Sequence, residues 1–273
     1  MIESKTMRVN RKGDLVYLTF PLFERYGVKH AFTTRHGGVS EGDCASFNTS
    51  FDRGEPRENV LENLRILCDA IGINRDSITY SKQTHTNNVR VITADDIGKG
   101  VIKPVDYTDV DGLISNIAGS ALLTQYADCV PLAFYDTKNK IIATSHAGWR
   151  GTVKEIGRVT VERMKSEFGS NAADIIAGIG PAVGSCCYEV DDPVYTEFSK
   201  MEYLDMDEIF VKKSNGKYML DLKKANKLIL MKAGLREENI DVADLCTNCL
   251  HEHLHSHRYT GGRRGNLGML IAL

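Results

Sequence analysis

At 273 residues, with 42% hydrophobic and 26% charged side chains, the chain has the composition of a globular protein able to bury a substantial core. Its 34 basic and 36 acidic residues leave a formal charge of −2, which excludes a general electrostatic drive toward nucleic acid or anionic membrane. No apolar run approaches membrane-spanning length, Met1-Ile2-Glu3-Ser4-Lys5 lacks a signal-peptide stretch, and the seven cysteines lack a disulfide-scaffold spacing, so a cytoplasmic protein with reduced thiols is expected.

In chain order, Val16-Tyr17-Leu18-Thr19-Phe20 and Lys29-His30-Ala31-Phe32-Thr33-Thr34 read as early strands. Residues 58–71 predict an amphipathic helix, with Val60, Leu61, Leu64, Leu67, Cys68 and Ile71 on one face. Val89-Arg90-Val91-Ile92 and Gly112-Leu113-Ile114 are short strands. Leu132-Ala133-Phe134-Tyr135 and Ile141-Ile142-Ala143-Thr144 flank the turn Asp136-Thr137-Lys138-Asn139-Lys140 and predict a hairpin. A helix is predicted over 152–168, then a strand over 174–179 stopped by Gly180-Pro181. Asp221 caps a helix that runs to Ala233, with Gly234 at its end, and residues 267–273 form a last strand. Strands and helices mix without regular alternation, so the fold expected is mixed α/β with α+β character, in one domain over 1–273.

The hairpin carries the strongest chemical signal. Centred on Lys138, it brings Cys129, in Ala127-Asp128-Cys129, close to His146, in His146-Ala147-Gly148-Trp149-Arg150-Gly151-Thr152. A thiolate and a neutral imidazole are donors that zinc prefers, and His85 in Lys82-Gln83-Thr84-His85 is the candidate third ligand. Three ligands leave one tetrahedral position open for water or substrate. Each residue also has a plain alternative, as a buried thiol or a hydrogen-bonded histidine. Asp128 is a candidate to orient a ligand or, more simply, a strand-end carboxylate.

Other motifs are less specific. Arg35-His36-Gly37-Gly38-Val39-Ser40 suits an anion loop or a plain turn, and Arg150 at a strand-to-helix junction suits anion binding or ordinary chain reversal. Glu189, in Ser185-Cys186-Cys187-Tyr188-Glu189, is a candidate general acid or a solvated carboxylate. Thr108-Asp109-Val110-Asp111-Gly112 reads as a turn into a strand. Cys246-Thr247-Asn248-Cys249 has zinc or redox spacing, and His251, His253, His255 and His257 follow at every second residue. A histidine-rich loop with adventitious metal affinity is the simpler reading of that segment.

These segments together resemble the bacterial laccase-domain family, once called multicopper polyphenol oxidases and regarded as purine nucleoside phosphorylases. The most specific pieces are Gln83-Thr84-His85, Ala127-Asp128-Cys129-Val130-Pro131 and His146-Ala147-Gly148-Trp149-Arg150-Gly151-Thr152; Ile179-Gly180-Pro181, Cys187-Tyr188-Glu189-Val190 and Cys246-Thr247 also fit. The resemblance implies a Zn2+ held by His85, Cys129 and His146. It implies mixed sheets with surrounding helices, related to the catalytic domain of cytotoxic necrotizing factor toxins. It further implies phosphorolysis of adenosine, guanosine, inosine and methylthioadenosine, and hydrolytic deamination of adenosine. Purine nucleosides and phosphate are then the partners, with Arg35 and Arg150 on phosphate and Glu189 as proton donor. The family's Thr-Gly-Arg before the last strand is replaced by Arg264-Gly265-Asn266, whereas Arg258, in Ser256-His257-Arg258, matches the family's Ser-x-Arg. The alternatives are a copper-dependent polyphenol oxidase and a non-catalytic zinc module whose fourth ligand would be His36 or Cys187.

Overall fold

Strands buried on both faces organise the molecule, whose computed structural model describes residues 2–273. Along Ala121–Tyr126, Ala121 and Leu123 join one apolar cluster while Leu122 and Tyr126 join another, as the two-residue period of a strand requires. Leu267–Ala272 divides in the same way, with Leu267, Met269 and Ile271 on one side and Leu270 and Ala272 on the other. Both strands belong to a six-stranded sheet ordered Arg8–Lys12, Leu15–Thr19, Lys29–Thr33, Leu267–Ala272, Ala121–Tyr126, Ile78–Tyr80. The second sheet runs Ile240–Val242, Ile175–Ile179, Val130–Asp136, Ile141–Ala147, Gly112–Ser115, Val89–Val91. Ala133, Tyr135 and Ile142 of the second sheet meet Leu122 and Met269 of the first, so the two sheets stack face to face.

Helices cover the outer faces. Arg57–Ile71 buries Val60, Leu64, Leu67 and Cys68 against the first sheet and ends at Gly72, whose φ of 70° closes it with an N–H to the Cys68 carbonyl. Ile156–Phe168 and Leu222–Lys232 pack Val161, Met164, Ile229 and Leu230 onto Leu132, Phe134 and Ala143 of the second sheet. A fully buried side chain such as Phe134 contributes about 1.5–3 kcal/mol by leaving water. A small sheet of Glu189–Val190, Tyr218–Leu220 and Phe210–Lys212 extends this side.

The mixed α/β expectation holds, since parallel and antiparallel pairs share both large sheets. One predicted element differs. The helix expected over 152–168 is two helices, Trp149–Val153 and Ile156–Phe168, broken where Glu155 takes a left-handed φ of 55°. The Glu155 carboxylate is held by Arg158 and Tyr203, and the turn delivers Ile156 into the core. The hairpin forms, but one residue out of the register centred on Lys138: Asp136 joins the strand opposite Ile141, which puts Pro131 opposite His146 and Val130 opposite Ala147. Among the described residues no helix is long and apolar enough to cross a membrane.

Candidate functional site

Where the hairpin ends meet the loop after Ile78–Tyr80, one ligand atom each of His85, Cys129 and His146 lies within 4.8 Å of the others. The Cys129 sulfur is 3.8 Å from His85 Nε2, against about 3.6 Å for the N–S edge of a tetrahedral zinc site built from ordinary bond lengths. Gly148 follows His146 by two residues because nothing larger fits. A Cβ there would lie 2.8 Å from His85 Cδ2 and 3.0 Å from the Cys129 sulfur. His85 itself has a left-handed φ of 66°, an uncommon conformation for a residue with a side chain.

Asp111 holds this arrangement. Its carboxylate is fully buried and accepts from five donors. Oδ1 takes the His85 N–H at 3.0 Å and His146 Nδ1 at 2.8 Å; Oδ2 takes the Thr84 N–H, the Thr86 N–H and the Thr86 hydroxyl at 2.9–3.0 Å. The carboxylate therefore fixes the strained loop that carries His85 and the ring orientation of His146, whose Nδ1–H it accepts and whose other nitrogen is turned toward Cys129. Gln83 anchors the same loop by exchanging two 2.7 Å hydrogen bonds with the Gln125 backbone, as a strand neighbour would. Sequence alone marks Asp111 only as part of a turn and offers Asp128 as the candidate orienting carboxylate or a strand-end residue. Asp128 instead accepts from the Thr247 hydroxyl and the Arg258 N–H, so it secures a neighbouring loop.

The charges support one another. Burial works to raise the Asp111 carboxyl, but His146 and the Thr84 and Thr86 N–H groups overcome it and lower it to about 2. Burial likewise opposes the Cys129 thiolate, yet the adjacent His146 and His85 bring the thiol below its ordinary range. His146 is raised in turn by Cys129 and Asp111 against its own burial. A thiolate and two imidazoles, one oriented by a carboxylate, are a donor set that fits a borderline-soft divalent ion.

The three residues line a cavity of about 530 Å³, a volume suited to a small organic ligand. Arg150 and Arg258 line it too, as do Arg53 and Arg264. The Arg150 guanidinium stacks on Trp149 at 4.3 Å, and Arg258 sits 5.3 Å over the Tyr188 ring. Its carboxylates are already engaged: Asp52 with Lys82, and Asp128 as described. Arg53 was missed in the sequence because nothing local distinguishes it. Arg264, set aside there in favour of Arg258, shares the cavity with it.

Two expected site residues lie elsewhere. Arg35 donates to the Ala45 and His251 carbonyls and is absent from the cavity lining, so its glycine-rich loop is a braced turn. Glu189 is ion-paired with Lys213 and Lys217, also off the lining, and Lys213 holds its carboxyl below the ordinary value. A proton donor needs the opposite shift. The histidine run is a series of turns in place of a strand. His251 stacks on Tyr259, His253 bonds His36, His255 is buried on the Phe47 carbonyl, and His257 alone reaches the cavity. Neither His36 nor Cys187 joins the His85 group, since Cys187 contacts Cys249.

The family described as multi-copper polyphenol oxidoreductase laccase matches residues 29–273. The chain belongs to this family. Among its relatives, purine nucleoside phosphorylase YlmD of Bacillus subtilis (strain 168) is 37% identical over 243 residues, covering 89% of this chain and 87% of that protein. A purine nucleoside phosphorylase of Bacteroides thetaiotaomicron is 35% identical over 89% of this chain and 92% of its own length. The crystal structure of the Bacillus licheniformis hypothetical protein YfiH superposes with a TM-score of 0.91 at 32% identity, over 97% of this chain and 98% of that one. That of YlmD from Geobacillus stearothermophilus gives 0.87 at 32% identity over the same shares. The matched span of the laccase-domain family includes the His85 group, Asp111 and every cavity arginine.

Proposed function

We propose that the protein is a zinc-dependent purine nucleoside phosphorylase whose metal is held by His85, Cys129 and His146. The observation that carries this reading is a three-donor cluster sharing one cavity with four guanidinium groups. Burial and the nearby Arg53 press against the charged form of Arg264, and its Nε is buried without a partner. An arginine keeps its proton even so, and a cationic pocket of this kind favours a bound anion. Phosphate meets that demand through charge-assisted bonds worth about 1.5–3 kcal/mol each. Arg150, Arg258 and Arg264 are assigned to it; Arg35 is not. Relatives that bear the name purine nucleoside phosphorylase support the same reaction class.

In phosphorolysis a phosphate oxygen bonds to the anomeric carbon of ribose as the glycosidic C–N bond breaks. The electron pair leaves on the purine, which then takes a proton. The arginines hold and orient the nucleophile, and Asp111 keeps the ligand geometry from drifting. Bound zinc supplies a Lewis acid that polarises a phosphate or nucleoside oxygen. Adenosine, guanosine, inosine and methylthioadenosine are the proposed substrates, and deamination of adenosine replaces phosphate with water as the co-substrate in the same cavity. Incubating the metal-analysed protein with adenosine, with and without phosphate, tests the reading. It requires adenine and ribose 1-phosphate only when phosphate is present. Metal-replete protein that releases no purine under these conditions overturns it.

A further inference from the structure

Two strands bring a second group of cysteines together. Ile175–Ile179 and Ile240–Val242 lie side by side in parallel, and their pairing continues past the strand ends through a bridge between Ala182 and Cys246. The Thr247 N–H donates to the Ala182 carbonyl at 3.0 Å. The loops beyond therefore run together, and Cys186, Cys187, Cys246 and Cys249 converge with all four sulfurs within 4.8 Å of one another. Cys249 is 3.5 Å from Cys186 and 3.4 Å from Cys187. The edge of a zinc tetrathiolate tetrahedron is about 3.8 Å for ordinary Zn–S bonds. Cys249 is nearly equidistant from two neighbours, so no single disulfide pairing is singled out, and a bond between vicinal Cys186 and Cys187 is sterically poor.

The surroundings suit thiolates. The Gly184 N–H donates to the Cys246 sulfur at 3.2 Å, and the Asn248 amide donates to the Cys187 sulfur at 3.2 Å. Lys223 anchors its ammonium on the Ala243 and Leu245 carbonyls beside Cys246, adding a cation where a tetrathiolate carries excess negative charge. We propose that Cys186, Cys187, Cys246 and Cys249 form a closed four-sulfur site for one structural divalent ion of zinc's class. Four protein ligands leave no position for substrate, so its role is to staple the two loops. Those loops carry part of the cavity wall. Val183 and Tyr188 flank the first cysteine pair, and Thr247 lies between the second and bonds Asp128, which holds the Arg258 backbone.

The test uses the full chain with His85→Ala and Cys129→Ala together, which removes the other candidate ligand set and leaves the four cysteines intact. After purification in zinc and desalting, this variant is expected to retain about one zinc per chain. Cobalt substitution should give a thiolate charge-transfer band of four-sulfur intensity. Adding Cys186→Ser and Cys249→Ser should remove the ion, and the zinc-loaded parent should melt well above the metal-free parent. A parent that holds no zinc after loading and desalting overturns the proposal, whether its four clustered cysteines titrate as free thiols or its intact mass shows a disulfide. So does zinc that persists after the two serine substitutions. None of these readouts depends on nucleoside turnover.

Discussion

The His85, Cys129, His146 trio and the four-cysteine cluster arise from the same device, a loop beyond a strand end meeting a neighbouring segment, but they differ in donor count and backing. The trio offers two nitrogens and one sulfur, is fixed by a buried carboxylate and opens on a cationic cavity. The cysteine cluster offers four sulfurs, is backed by N–H donors and lies outside the cavity lining. The difference teaches that a cluster of metal-ligating side chains does not by itself mark a reactive centre. Donor count and surroundings do: three donors beside a cavity leave a tetrahedral metal a position for substrate, and four donors leave none.

Breaking the trio should have the largest effect. Cys129→Ala is expected to lower kcat/KM for adenosine phosphorolysis by about 1,000-fold or more, about 4 kcal/mol of barrier, and to release the metal from this site while the fold persists. Metal analysis beside circular dichroism checks this, and full activity in the variant would exclude Cys129 as a ligand. Asp111→Asn should come next. It keeps the shape but removes the charge that orients His146, and about 10–100-fold weaker metal binding at the trio is expected, read by chelator competition. Unchanged affinity would reduce Asp111 to a loop brace.

Arg150→Ala sharpens the cavity side of the comparison. Loss of one charge-assisted contact should raise the KM for phosphate about ten-fold and leave that for adenosine nearly unchanged. An equal rise in both would show that Arg150 maintains the pocket generally. The smallest effect is expected from Glu189→Gln. With its carboxylate on Lys213 outside the cavity, turnover should stay within about two-fold across the pH profile. Loss of one limb of that profile would restore Glu189 as the proton donor.

Much of this was legible in the sequence where the information is local. The hairpin around Lys138 was readable from two apolar runs and a polar turn, and it brings Cys129 to His146 although Asp136 extends the strand and shifts the pairing by one residue. The helix at Arg57–Ile71 was readable from its periodicity. Asp111 was not, because accepting from Thr84, His85, Thr86 and His146 is a tertiary property with no spacing of its own. The alternating histidines share one face only if the segment is extended; the loop reading was the better one, and the turns at 247–253 scatter the rings. Cys186 and Cys246 stand 60 residues apart, and only the parallel pairing of their preceding strands brings them together.

Anomalous diffraction at the zinc edge, from crystals of the full chain grown with phosphate, tests the contrast between the two clusters most directly. The account predicts two peaks per chain: one bound by His85, Cys129 and His146 plus a non-protein ligand facing the arginines, the other bound by four sulfurs alone. A protein side chain filling the fourth position at His85, or no peak there at all, would contradict it.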